Sequence, residues 1–309
     1  MDRMSLWNFV LRMGARVAPV LAGLMLVLPL AARATHLEAK MYGIDNWSTT
    51  CPGNDLNWSA MVDRWYNEID NHGWYSKDGR FVDTLNDSAF CDPDSAAVGC
   101  VDHNRIDDGD AVMIFMHGSD SGNHWEGQLD LARTDGAGGN DCRVEAPEAA
   151  TDNGGGAELY VGDIDMEFLH FSSCNSMDDD NITNTWRLMR DPVDSPGNGR
   201  RLHQVTGFHG FMWIGASLRS DYEDFADDAF EVSIKDAWLS NMYRDNMPNG
   251  VEQCPVAMAI GTDSTDCFNR IDNERYNNIF SDPSGNNTYC YYYFDGCDPA
   301  GDGPFSDPN

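Results

Sequence analysis

An α/β layer sandwich on a mainly parallel sheet, with helices on both faces, is the fold this sequence predicts. Three observations lead there. Strand-like and helix-like segments alternate through the chain. Met166–Phe171 is apolar apart from Glu167 and His170, the pattern of a strand covered on both faces, as in a parallel sheet. Residues 220–244 carry Tyr222, Phe225, Ala226, Ala229, Phe230, Ile234, Ala237, Trp238 and Met242, an amphipathic stripe that predicts the longest helix.

From the N-terminus, Arg3, Arg12 and Arg16 precede the run VAPVLAGLMLVLPLA, and Ala32-Arg33-Ala34 obeys the small-x-small rule for signal-peptidase cleavage. A core of roughly 15 apolar residues is short for a span of about 20. Residues 1–34 are therefore expected to be a removable signal peptide, with the mature chain secreted or periplasmic. Residues 35–309 are expected to form one domain with an N-terminal helical and a C-terminal disulfide-rich extension. Trp58, Met61, Val62, Trp65, Tyr66 and Ile69 recur at helical spacing within 55–72, with Asp55 as a candidate cap. Ala111–Met116 reads as a strand, and 134–156, rich in glycine, as a long surface loop near the site. Glu158–Val161 and Met166–Phe171 read as strands, Asn181–Met189 as a short helix, His203–Ile214 as a strand region and Pro255–Ile260 as a last strand. In such sheets chemistry sits at the carboxyl ends of the strands.

Charge and cysteine content narrow the function classes. The formal net charge is −31, from 51 acidic and 20 basic residues. A surface of that sign repels nucleic acid and anionic membrane, and both are excluded as partners. The acids are scattered, which favours a solvated acidic shell over a device for attracting a basic substrate. Nine cysteines fit an oxidising compartment. Eight can pair. Short loops favour Cys91–Cys100, Cys254–Cys267 and Cys290–Cys297, leaving Cys51–Cys142, among 105 formal connectivities. Cys174 is the odd one out, because it ends a buried strand while the others sit in polar loops. No Cys/His spacing suits a structural metal. Asp178-Asp179-Asp180-Asn181 and the tail DGCDPAGDGPFSDPN raise structural calcium as a possibility, although neither has the EF-hand spacing. No other cofactor is expected, and the protein is expected to be a monomer.

Two apolar runs stop on reactive side chains: AVMIFMHGS at His117-Gly118, and MEFLHFSSCNS at Ser173-Cys174. Neighbouring strand ends bearing an imidazole, a thiol and a glycine amide supply a base, a nucleophile and an oxyanion donor. Both motifs resemble the signatures of the caspase, gingipain, legumain, clostripain and separase clan of cysteine peptidases. The stretch GFHGFMWIGASLRSDYEDFADDAFEVSIKDAW is similar to the segment after the nucleophile strand in bacterial caspase-like domains. The likeness covers roughly residues 110–262 and extends to an uncharacterised group of secreted bacterial caspase-like proteins. It implies a caspase-like three-layer sandwich and cleavage of a peptide or protein substrate through a thioester acyl-enzyme. Cys174 would be the nucleophile and His117 the general base and acid, with the amides of Gly118 and Cys174 as oxyanion donors. Ser172, two residues before the nucleophile, and Trp213 would border the substrate groove. No orienting third residue is implied.

The remaining histidines are read as structural. His124 and Trp125 are expected to pack, His170 to be a satisfied core residue, and His209 is the one of the pair His203 and His209 that could face the site. A catalytically inactive extracellular binding protein of the same shape is the alternative. A metal-dependent hydrolase using His117 and His124 lacks an HExxH-like spacing.

Overall fold

The fold is described from a computed structural model for residues 36–91, 101–120, 124–132, 142–146, 157–159, 161–162, 164–183, 202–284 and 288–306. The expected signal peptide lies outside these residues. In chain order the elements are β1 (Leu37–Gly43), α1 (Ser59–Asn71), β2 (Tyr75–Val82), β3 (Ala111–Phe115), β4 (Gly118–Asp120), β5 (Trp125–Gln128), β6 (Arg143–Glu145), β7 (Ala157–Glu158), β8 (Phe168–Ser172) and β9 (Gln204–His209). After these come α2 (Arg219–Glu231), α3 (Ile234–Met242), β10 (Cys254–Gly261), α4 (Ser264–Asn273) and β11 (Thr288–Tyr293).

The protein is an α/β sandwich on a seven-stranded sheet of order β11-β10-β9-β8-β3-β1-β2. Strands β2, β1, β3, β8 and β9 run parallel, and β10 runs against both its neighbours. Side chains alternate across the pleat and so sort into two cores. Met41, Met113, Phe115, Phe168 and Phe208 meet α1, α2 and α3 on one face. Tyr42, Ile114, Leu169, Phe171 and Val205 face the other way, against Trp125, Val144 and Leu159. Those last three come from the second sheet, β4-β5-β6-β7, and the residue just after it. Among the described residues this small sheet, with helical backbone starting at 182–183, forms the third layer.

Several expectations are corrected. The stripe over 220–244 is two helices, because Ser233 leaves the helical conformation and its Oγ accepts the Asp236 N–H (3.1 Å) as an N-cap. Helix α1 is capped by Asp45 rather than Asp55: Asp45 Oδ1 accepts the N–H groups of Trp58 (2.8 Å) and Ser59 (2.7 Å), whereas Asp55 accepts that of Trp47. Within 134–156, Arg143–Glu145 is a strand paired with β5. The β7 strand, Ala157–Glu158, starts and ends earlier than expected. Beyond 183 the expected helix Asn181–Met189 falls outside the described residues. Helix α1 follows β1, which is interior to the main sheet, and the C-terminal segment contributes its edge strand β11.

Disulfides Cys51–Cys142, Cys254–Cys297 and Cys267–Cys290 are closed, and Cys174 is free. Cys91 is also disulfide-bonded; its expected partner Cys100 lies outside the described residues. The local pairings 254–267 and 290–297 fail because β10 and β11 are antiparallel with Val256 opposite Tyr293. That register carries Cys254 to the segment just after β11, and leaves Cys267 of α4 over Cys290. Three closed disulfides and a further bonded cysteine, Cys91, fit a chain that folds in an oxidising compartment. Among the described residues no helix is long and apolar enough to cross a membrane.

Candidate active site

Strand register builds the site. β3 and β8 pair in parallel, with Phe115 opposite Ser172 as the last pair. Two residues further along each chain come His117 and Cys174. Phe115 and Ser172 face the helices, so a period of two points both reactive side chains to that same side. The carboxyl-end position is the one sequence reasoning expects of an α/β sheet.

His117 is held on three sides. The Trp47 ring lies 4.5 Å from its centroid, the Trp58 ring meets it edge-on at 5.5 Å, and Nε2 lies 3.2 Å from the main-chain oxygen of Asn54. A carbonyl oxygen only accepts, so Nε2 carries the proton and Nδ1 of the neutral ring is left as the basic atom. Trp58 is fixed in turn by donating Nε1–H to Ser172 Oγ (2.9 Å), which also pairs with Tyr222 OH (2.5 Å). Ser172 is thus fully buried beneath the site. It supports Trp58 and offers no surface to a substrate groove, a correction to its expected place.

Cys174 is half-buried, with its thiol 3.8 Å from the Met212 carbonyl oxygen. Burial pushes its pKa above the ordinary thiol value; contacts with the backbone of Met212 and of Cys174 itself pull the other way and do not cancel it. The resting group is a thiol. No hydrogen bond joins it to His117 among the described residues. Asn175, the next residue, has φ +54°, a left-handed conformation that asparagine tolerates better than most. With its amide oriented to donate to the Gly210 carbonyl (2.9 Å) and accept from the Asp120 N–H (3.1 Å), this turn is tied to both flanking segments.

Gly118 sits against the Ser173–Cys174 turn. A Cβ there would lie 2.3 Å from the Cys174 carbonyl oxygen and 2.3 Å from Ser173 Oγ, so no other residue fits without displacement. Gln128 N–H donates to His117 O (2.8 Å), which makes Gly118 and Gly127 a non-hydrogen-bonded pair and leaves the Gly118 N–H outside the β4–β5 ladder. Trp125 fixes the turn from below through Nε1–H to Ser173 Oγ (3.0 Å). Trp213 is half-buried, one residue beyond the carbonyl that the thiol faces; its indole N–H is buried and has no hydrogen-bond partner among the described residues.

An open cavity of about 460 Å³ adjoins His117, lined by Pro52, Gly53, Asn54, His117 and Gln128. A second, of about 310 Å³, lies by Tyr42, Phe81, Leu85 and Arg105 and contains neither His117 nor Cys174. The other histidines stand apart. His124 is buried, with Nε2 3.8 Å from Glu126. His170 bonds Thr206 Oγ1 and Tyr276 OH (both 2.8 Å), and burial lowers its pKa to about 3. His203 pairs with Glu274 (2.6 Å).

His209 faces Asp178 (2.7 Å) and the Gly303 carbonyl (2.8 Å) rather than the thiol. The aspartates singled out for calcium gather here: ligand atoms of Asp178, Asp179, His209 and Asp302 lie within 4.8 Å of one another. Both His209 nitrogens face oxygen atoms; burial and the neighbouring Asp302 raise the Asp178 pKa to about 6, and the His209 pKa is raised as well, the lowering by burial being outweighed by Asp178.

Fold and site define an α/β sandwich protein that carries an imidazole and a lone thiol on adjoining parallel strand ends. A family model described as a domain of unknown function, DUF6345, matches residues 45–296, and the chain belongs to that family. No curated protein and no solved structure matches it. The Asn54 carbonyl and the Asp45 cap had escaped sequence reasoning: every residue has a carbonyl, and nothing in the sequence marks the one that folds back onto a histidine.

Proposed function

We propose that this chain is a secreted or periplasmic cysteine-dependent endopeptidase, released by cleavage near Ala34, whose dyad is His117 and Cys174. The observation that carries the reading is the Asn54 carbonyl on His117 Nε2, because it turns the unprotonated Nδ1 into the site's base. The caspase-like resemblance of the two motifs supports it. In the acylation step Nδ1 takes the thiol proton as Sγ bonds to the substrate carbonyl carbon. The oxyanion so formed accepts hydrogen bonds from the Gly118 and Cys174 amides. Collapse expels the amine, which takes the proton from His117 and leaves a thioester; water, deprotonated by Nδ1, then releases the acid and restores the thiol. Because the resting thiol is raised by burial, the proton transfer to His117 is a required part of the attack.

One observation favours the alternative, an inactive caspase-like binding protein: the thiol is directed at Met212 O and makes no hydrogen bond to the imidazole. Catalytic hydrogen bonds often tighten only on substrate binding, and reactivity separates the two readings. Profiling the mature protein against a peptide library, with Cys174→Ala and His117→Ala beside it, is the test. Cleavage that falls at least about 10³-fold in both variants supports the peptidase. Absence of cleavage, with iodoacetamide labelling Cys174 only at alkaline pH, would establish the binding protein.

A further inference from the structure

We propose that the Cys51–Cys142 disulfide is a redox control on this site: closed, it holds the segment that positions His117, and opened, it lets the base go. The proposal rests on the dyad reading above and concerns its regulation.

Residues 52–58 have neither helix nor strand, yet their Asn54 carbonyl must reach His117 Nε2. Two bonds tie this strap to the small sheet. Cys51 is joined to Cys142, immediately before β6, and Gln128 Nε2 on β5 donates to Pro52 O (2.5 Å). A third contact rests it on Trp47, since a Cβ on Gly53 would lie 2.6 Å from the indole. Trp47 in turn stacks on His117. The Asp55–Trp47 N and Leu56 N–Asp45 O bonds close the Trp47–Leu56 turn on itself, and Ser48 Oγ, which accepts from the Cys51 N–H, donates to Asp130 O just past β5, so hydrogen bonds anchor the turn there while only the disulfide does so covalently. The disulfide is therefore the covalent tie that sets where Asn54 O stands relative to His117.

Among the disulfides with both cysteines described, it is also the one a small thiol can reach. Cys142 is partly exposed, whereas Cys254, Cys297, Cys267 and Cys290 are all at most 5% exposed. Exchange depends on access to the attacked sulfur. A low-molecular-weight thiolate attacks Cys142 Sγ, forms a mixed disulfide and expels the Cys51 thiolate, which takes up a proton. A second thiolate attacks the mixed disulfide, leaves as the oxidised small-molecule disulfide, and the Cys142 thiolate is protonated. Two electrons and two protons pass to the protein. An opened strap no longer fixes the imidazole, and misplacing a reacting group by 1 Å costs about 10²-fold. Cys174 then remains a thiol with a raised pKa and has no positioned base beside it. The consequence is that the site assembles only after the chain reaches an oxidising compartment, and stays silent before export.

The test measures iodoacetamide alkylation of Cys174 against pH in the mature protein, in Cys51→Ser/Cys142→Ser and in Gln128→Ala, with circular dichroism to verify folding. The double variant should alkylate about tenfold more slowly near neutral pH, and its profile should become that of one thiol titrating in the alkaline range. Gln128→Ala, its disulfide intact, should fall about threefold. A folded double variant with the wild-type profile overturns the proposal. If the double variant does not fold, a wild-type profile in Gln128→Ala overturns it instead. Failure of the dyad reading is seen separately, in the wild type alone, as a profile no different from that of His117→Ala.

Discussion

Gly118→Ala puts the geometry of the site under the sharpest strain. The added methyl carbon would stand 2.3 Å from the carbonyl oxygen of Cys174, 2.3 Å from Ser173 Oγ and 2.5 Å from Trp125 Nε1. Carbon and oxygen settle at about 3.3 Å, so roughly 1 Å of movement is needed. A flexible side chain could give that cheaply. Here the nearest atom is main chain in a turn tied to Gly210 by the Asn175 N–H (2.8 Å), and the other two atoms bond each other. Over-packing of this kind costs about 1–3 kcal/mol of stability. On the proposed peptidase reading, the same shift moves the Gly118 N–H away from the developing oxyanion, a donor worth about 3 kcal/mol, or roughly 10²-fold in kcat. Chemical denaturation gives the first quantity, and turnover or Cys174 acylation gives the second. A variant within about 0.5 kcal/mol of wild type and of equal turnover would refute both the close approach and the oxyanion assignment.

Three other outcomes are expected. The His209 pKa is shifted by burial, which lowers it, and by the Asp178 carboxylate and the Gly303 carbonyl, which raise it by more, for a net rise; the pair's stabilisation is therefore lost as pH climbs through the folded His209 value, and on the acid side it ends as Asp178, raised to about 6 by burial and by Asp302, takes a proton. Asp178→Asn should flatten that alkaline decline in melting temperature, and an unchanged slope would remove the pair from the account. Tyr276→Phe deletes the hydroxyl that accepts from Trp65 Nε1 (3.0 Å) and bonds His170 Nε2 (2.8 Å), and urea titration should read a loss of about 1–3 kcal/mol for the buried groups left unpaired. Asp45→Ala uncaps α1 at the N–H groups of Trp58 and Ser59; about 2 kcal/mol is expected, together with slower Cys174 alkylation because Trp58 borders His117.

Much of the candidate site was legible. His117 and Cys174 each close an apolar run, and a fully buried strand such as β3 or β8 writes its burial directly into its residues. β1 was not legible, because Glu38 and Lys40 interrupt LEAKMYG. The fold buries Lys40 by giving its Nζ Asp108 at 2.8 Å and Asp78 at 3.2 Å, partners remote in sequence. The split between α2 and α3 was missed because the apolar stripe continues across Ser233, while a cap acts through one side-chain oxygen. Ser172 was assigned to a groove from its place beside the nucleophile; the strand's alternation sends it under Trp58 instead.

By itself the sequence determined the layer class, the strand ends that bear imidazole and thiol, and the one cysteine left unpaired, since hydrophobic period, strand burial and an odd count are local or arithmetic properties. Tertiary structure alone decided which disulfides close, which carbonyl orients His117, and which face Ser172 and His209 turn to. Those choices depend on backbone groups and on contacts between residues far apart in the chain, and a backbone carbonyl is the same at every position until the fold brings one of them to the ring.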